Sequence, residues 1–462
     1  MFQFKYLKVA LLALSGLAIG SSHAAALQPL TDQQLSETTG QALMSLSYTS
    51  PTDTNNLEYQ RQNGAKNIGF YKLGLEAELS INANIKKLQL GCGGINGAGD
   101  CDIDIDNLSL SGVKLNSDGN VAMTSEERAS SDAVLTNPFL EFAIKNPDKS
   151  STREIVGLRL SAEKIVGLLS AGTDNNTPNG INTLSGFMQI SGYGTATTAQ
   201  SVFGLKSSEQ VTSYAAVNVL PPLCTSGCGN NQKYTAGNVN SDNKGIVIPS
   251  LQADFVINNA QVIGNRMKSA NVLAVTDIPS IPLTETAGQL GVHMADCIKI
   301  LGICAKQDTF IKLNTNLVNL KGDIQFSEGL GYIHNIPISS AGYLSLQSGQ
   351  IQWPGAKEVA QTGWWLSMQD PINLGKLNPQ GQVDISSVYS QVASILGTYL
   401  ATPPYKVSVD SADGIDALFG NGITKTLPNI DLTGQRVNIP LSNLILTSQN
   451  VVSNCYGSLK FC

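Results

Sequence analysis

What this chain has little of narrows its function before anything it contains does. Only 14% of its residues are charged, and acidic residues outnumber basic ones 35 to 29. A surface so sparsely basic excludes nucleic acid as a partner, because phosphate backbones are held by clustered lysine and arginine. Histidines number three, and only His293 and His334 lie beyond the first 26 residues. Neither stands beside a recognisable nucleophile, so acid–base and nucleophilic catalysis lack their usual carriers. The sequence also lacks Gly-x-Ser-x-Gly, a Walker loop, His-Glu-x-x-His and Gly-x-Gly-x-x-Gly. No enzyme is expected. After the leader no run is long and apolar enough for a membrane-spanning helix of about 20 residues. Aromatics are only 6% and the strand spacing is irregular, which ranks an outer-membrane barrel below other exported β proteins.

The first residues set the compartment. Lys5 and Lys8 precede an apolar run from Val9 to Ile19, and small residues follow to Ala26. That is the pattern of a secretory signal peptide, so residues 1–26 are expected to be removed and the chain exported through the inner membrane. Loss of Lys5 and Lys8 leaves 27 basic residues against 35 acidic ones, a formal charge of −8. All eight cysteines lie beyond the leader, as near neighbours: Cys92 with Cys101, Cys224 with Cys228, Cys297 with Cys304, Cys455 with Cys462. In an oxidising compartment, sequential closure of these short loops is the economical pairing. Each would contribute about 2 to 2.6 kcal/mol by the chain-entropy estimate. The competing reading of Cys224 and Cys228 is a zinc site, which export and the absence of nearby histidines disfavour.

The clearest structural signal runs from Phe70 to Leu115. Leu73, Leu75, Ala77, Leu79, Ile81, Ala83 and Ile85 alternate with polar residues, a period of two that predicts a strand with one buried face. A Gly-rich turn between Cys92 and Cys101 then leads into Ile103 and Ile105, so a hairpin pinned at its tip by a disulfide is expected. Similar alternation marks Leu140, Phe142 and Ile144, and many short runs in the second half. Val388, Val392, Ile395, Leu396 and Tyr399 instead recur at three and four, predicting a helix over 384–400 that Asp384 caps. The expected fold is mainly β, with long antiparallel sheets in a sandwich-like or elongated, irregular solenoid-like arrangement, one short N-terminal helix and the helix near 384–400. The expected order is a signal peptide over 1–26, helix and linker over 27–56, and a first β domain over 57–220. A Cys- and Gly-rich linker over 221–245, a second β domain over 246–382 and a helix with a clasped tail over 383–462 follow.

Four constellations are candidate sites. Asp100, Asp102, Asp104 and Asp106 alternate along a strand about 6.6 Å apart in steps. Two of them with turn carbonyls could hold calcium; the bland reading is a solvated face that discourages edge pairing. Trp364 and Trp365 could form an aromatic platform for glycans or a partner, although aromatics on strands are more often core. Asp410, Asp413 and Asp416 fit a turn as well as any metal loop. Leu30, Leu35 and Leu43 lie in a short segment with helix-capping residues, too short to be stable unless docked, and so a candidate assembly segment. Calcium apart, no cofactor is expected.

The leader, the segment Leu30-Thr-Asp-Gln-Gln-Leu-Ser-Glu-Thr-Thr-Gly-Gln-Ala-Leu43 directly behind it, and the long Gly- and Asn-rich β chain resemble the pilus-assembly (Fil-type) surface proteins of Gram-negative bacteria. The resemblance implies a component or accessory of a surface fibre involved in adhesion. Its partners would be other fibre subunits or outer-membrane assembly proteins, with the chain at the cell surface, associated with the outer membrane or extracellular. The alternatives are an outer-membrane β-barrel and a secreted carbohydrate-binding protein.

Overall fold

The computed structural model describes residues 44–174, 177–220, 224–304, 307–441, 446, 447, 449 and 451–454. The leader, the assembly segment with Leu30, Leu35 and Leu43, and the pair Cys455 and Cys462 lie outside the described residues. From Met44 onward the chain forms one unit, and it is mainly β, as its alternation predicts.

Two large sheets carry the architecture. The first has 16 strands. Its main path runs from the edge strand Met44–Thr49 through Ile68–Leu75, Ala133–Lys145, Glu154–Ser170, Gly342–Gln347 and Gly363–Met368. It continues through Ile181–Thr197, Gln252–Met267, Ser269–Asp277 and Lys321–Gly329 to Arg436–Leu441. The second sheet has 10 strands and includes Val211–Val217, Gly229–Gly237, Gly288–Met294 and Asp308–Val318. Residues of both contribute to one hydrophobic core, among them Leu184, Ile257, Val272, Val217, Leu290 and Leu317. Pairing is mostly antiparallel; parallel ladders occur where the chain returns late, as Lys321–Gly329 with Arg436–Leu441.

The expected division into two β domains meets interleaved strands instead. Ile181–Thr197 pairs along most of its length with Gln252–Met267, across the expected linker. Gly342–Gln347 and Gly363–Met368 insert between Glu154–Ser170 and Ile181–Thr197. Residues 221–245 themselves hold the strands Cys224–Ser226 and Gly229–Gly237. A composition break marks the end of a strand; it carries no information about which distant strand that strand will pair with.

The disulfide-tipped hairpin is present. Ala83–Leu90 pairs with Ile103–Ser111 from Ala83 opposite Leu110 to Leu90 opposite Ile103, and Cys92 is bonded to Cys101. Cys224–Cys228 and Cys297–Cys304 are closed as expected. The long alternating run before the hairpin is broken into three strands, Ile68–Leu75, Glu78–Ile81 and Ala83–Leu90. Its apolar face is not enclosed: Leu73, Leu75, Leu79 and Ile85 are exposed, and Ala77, Ile81 and Ala83 only half-buried. Replacing Cys92 and Cys101 by Ser should lower stability by about 2.6 kcal/mol, since the 9-residue loop regains its freedom only in the unfolded chain. Urea unfolding with and without reductant checks this, because the variant should also lose part of its sensitivity to reduction.

The predicted helix is Tyr389–Tyr399, preceded by a 3-10 turn over Ser386–Val388. Asp384 accepts from the Ser386 backbone N–H at 2.8 Å, but it is not the expected helix cap: the helix starts five residues later, and its N-cap position, Val388, has no side-chain hydrogen bond. Val392, Ala393 and Leu396 are buried, and Gly397 lies so close to Thr212 that a Cβ there would meet its carbonyl oxygen at 2.5 Å. Asp410 and Asp413 form a capping box at the start of a second helix, Ser411–Phe419.

Candidate functional site

Four aspartates that the sequence places on one face are sorted by the structure into different environments. Asp102 precedes the strand Ile103–Ser111 in a bend, so it escapes the alternation and turns inward, where it is buried. Its carboxylate accepts from Arg266 Nε at 3.0 Å, Asn96 Nδ2 at 2.7 Å and the Trp364 backbone N–H at 3.0 Å. Gly91 and Gly363, both at positive φ, leave room for it, since a Cβ at either would lie within 2.4 Å of Asp102 Oδ2. Asp102 thereby ties the Cys92–Cys101 loop to two distant strands. Asp104 and Asp106 share Lys87, and Asp100 pairs with Lys268 at 2.8 Å. The Asp104 carboxyl is held below its ordinary range: although burial opposes this, hydrogen bonds from Lys87, Gln89 and Asn182 outweigh it. Each of the four carboxylates thus has a cation of this chain beside it, and among the described residues no group of three or more His, Cys, Asp or Glu side chains is placed to hold a metal ion.

The tryptophans do not make one platform. They are neighbours on the strand Gly363–Met368, so their side chains leave opposite faces. Trp365 is 0% exposed, packed with Trp353, Phe70 and Tyr343; Trp364 is half-buried on the other side. His293 pairs with Asp308 at 2.8 Å on the surface. His334 is buried, and burial pushes its imidazole down.

The most distinctive surface is one that the alternation revealed but mislabelled as interior. Six strands in register present a row of leucines: Leu46 opposite Leu73, Leu73 opposite Leu140, then Leu160, Leu344 and Leu366. A second row beside it reads Tyr48, Tyr71, Phe142, Leu158, Leu346 and Trp364. No residue in either row carries charge. At one end Leu344, Trp364 and Leu366 pack against the main core. Toward the edge strand the rows come into the open, and Leu46 is 75% exposed. Met44, Leu73, Leu75, Leu79, Leu135 and Leu140 line a groove there of about 540 Å³. Contiguous exposed apolar patches are uncommon on folded chains, whose exposed apolar residues are usually scattered singly.

The reverse face of the same strands is covered from Glu141 to Trp365, while Ser47 at the edge is exposed and Lys72 half-buried. Its row runs Ser47, Lys72, Glu141, Arg159, Ser345 and Trp365. The segment 348–362, with Trp353 fully buried, folds over it. Beneath that cover the Arg159 guanidinium is bonded to Glu141, donates to the Pro354 carbonyl at 3.1 Å, and lies 5.2 to 5.3 Å from the rings of Phe139, Tyr343 and Trp353. Burial raises the Glu141 carboxyl even though Arg159 pulls it down. Nothing in the sequence around Glu141 distinguishes it from a solvated position; the one signal is that Ala143 and Gly157, small residues two positions from Glu141 and Arg159, let a cover approach closely.

The two ends of the large sheet are finished differently. At Arg436–Leu441 the Gln391 side chain closes the strand, accepting from the Asn438 N–H at 2.9 Å and donating to its carbonyl at 2.8 Å, and Pro440 removes a donor. Met44–Thr49, Met-Ser-Leu-Ser-Tyr-Thr, has no charge, no proline and, among the described residues, no strand on its outer side. No known protein family, no curated protein and no solved structure matches this chain.

Proposed function

We propose that this chain is an exported structural protein of the cell surface, a component or accessory of an adhesive fibre, that works by being held and by holding. The observation that carries this reading is the uncharged leucine and aromatic face running in register to a sheet edge that, among the described residues, no further strand covers. A sheet that ends in such a strand is suited to accept another strand, with backbone hydrogen bonds for affinity and alternate side chains for specificity. Three closed disulfides support an oxidising location, and the leader pattern supports export. The low charge and the absence of catalytic motifs fit a binding role.

Fractionation of producing cells tests it. The expected result is a chain lacking residues 1–26, without free thiols, recovered with outer membranes or shed filaments, and a loss of surface adhesion when the chain is deleted. A chain found in the cytosol with its leader attached and its cysteines reduced would overturn the reading.

A further inference from the structure

We infer that the partner accepted by the edge strand Met44–Thr49 is a second copy of this chain, paired antiparallel across a two-fold axis; this rests on the reading of that edge as a docking site. Pairing centred on Leu46 sets Leu46 opposite Leu46, Met44 opposite Tyr48 and Ser45 opposite Ser47. Since residues directly opposite in an antiparallel pair share a face, over Met44–Tyr48 every apolar side chain then meets an apolar one and the two serines meet each other, while Thr49 lies beyond the paired stretch. The leucine row that ends at Leu46 would continue into the leucine row of the other copy.

Charge points to the same occupant. The chain carries a surplus of acidic residues, so contact between most surfaces of two copies is repulsive. Met44–Thr49 is neutral, as are both rows behind it, and like charges do not come opposite each other when the strand pairs with itself. An isologous contact needs one self-complementary patch, and this edge is one. The opposite edge, closed by Gln391 and Pro440, offers no equivalent second site, so association of this kind stops at the dimer. Leu73, Leu75 and Leu79 beside the edge are exposed, which extends the apolar area inward from the paired strands toward the size a specific contact requires.

Sedimentation of the chain from residue 27 onward, at a series of concentrations, tests this. The wild type should sediment as a dimer at tens of micromolar, with a dissociation constant little changed by salt, because the contact is neutral. Leu46→Lys sets two like charges opposite each other and should weaken association at least tenfold, with an unchanged circular dichroism spectrum, since the side chain is already exposed. Leu273→Lys, at another exposed leucine (58% against 75% for Leu46) inside the sheet and away from the edge, should associate as the wild type does. A monomer throughout the series, or Leu46→Lys associating as tightly as the wild type, would overturn the inference. So would a monomer that floats with phosphatidylcholine vesicles and ceases to do so as Leu46→Lys, which assigns the face to lipid. Fractionation separates the two claims: a cytosolic chain that still dimerises removes the surface role and keeps this contact, and a surface chain that stays monomeric does the reverse.

Discussion

Arg159→Met should destabilise the protein by about 3 to 5 kcal/mol, because it strands the Glu141 carboxylate inside the sheet cover. Both side chains are nearly inaccessible, so water cannot replace the lost partner. The guanidinium also fills the space between Phe139, Tyr343 and Trp353, and methionine recovers only part of that packing. Glu141→Leu should cost a comparable amount for the mirror-image reason, leaving an unpaired cation. Glu141→Leu combined with Arg159→Met removes both charges together and should recover much of the loss, giving a coupling of about 2 to 3 kcal/mol in a double-mutant cycle. Urea midpoints of the four proteins decide it. If the double variant is as unstable as the sum of the singles, the pair does not act as a unit and the cover is held by its aromatic packing alone.

That network also shows where the sequence stops being informative. Alternation located only the second half of the strand Ala133–Lys145, and there Leu140, Phe142 and Ile144 are half-buried while Glu141 and Ala143 are enclosed. Periodicity separates two faces; it cannot say which of them is covered when the cover comes from some 200 residues away, as 348–362 does here. The same limit applies at Leu73 and Leu75, which are exposed beside the buried Phe70 and Gly74; from Glu76 to Asn84 neither face is enclosed. What local chemistry decides was legible: the hairpin with its clasp, the two other short disulfides, and the helix over 389–399 from its apolar spacing, though not its start, which Asp384 does not cap. Asp102 was legible as a carboxylate in a series and illegible as the inward one, because a bend ahead of the strand changes its direction and its partner Arg266 is remote in sequence. The strand Met44–Thr49 was not singled out by the sequence; that no described strand lies on its outer side, while the other end of the sheet is closed by Gln391, is a property of the assembled sheet.

Glu328 should make the stability of the protein fall steeply between pH 4.5 and about 8. It lies in the strand Lys321–Gly329 opposite Ala270, buried, with a hydrogen bond from the Leu446 N–H and, among the described residues, no lysine or arginine paired with it. Burial pushes its carboxyl up to about 8, against 4.5 for the group in an unfolded chain. The sign follows from proton uptake. Below pH 4.5 both states hold the proton and the contribution of this group to stability is complete; as pH rises, the unfolded chain releases its proton first, and the folded chain must give it up at about 8. At about 1.4 kcal/mol per pH unit, the loss over that window is on the order of 4 kcal/mol. Glu328→Gln keeps the shape and the acceptor without the titration, so it should match the wild type near pH 4.5 and exceed it by that amount at pH 8.5 to 9. Urea unfolding at pH 5 and at pH 8.5 measures the difference directly; parallel pH profiles for the two proteins would show that Glu328 is solvated in the folded chain and that the pH dependence arises elsewhere.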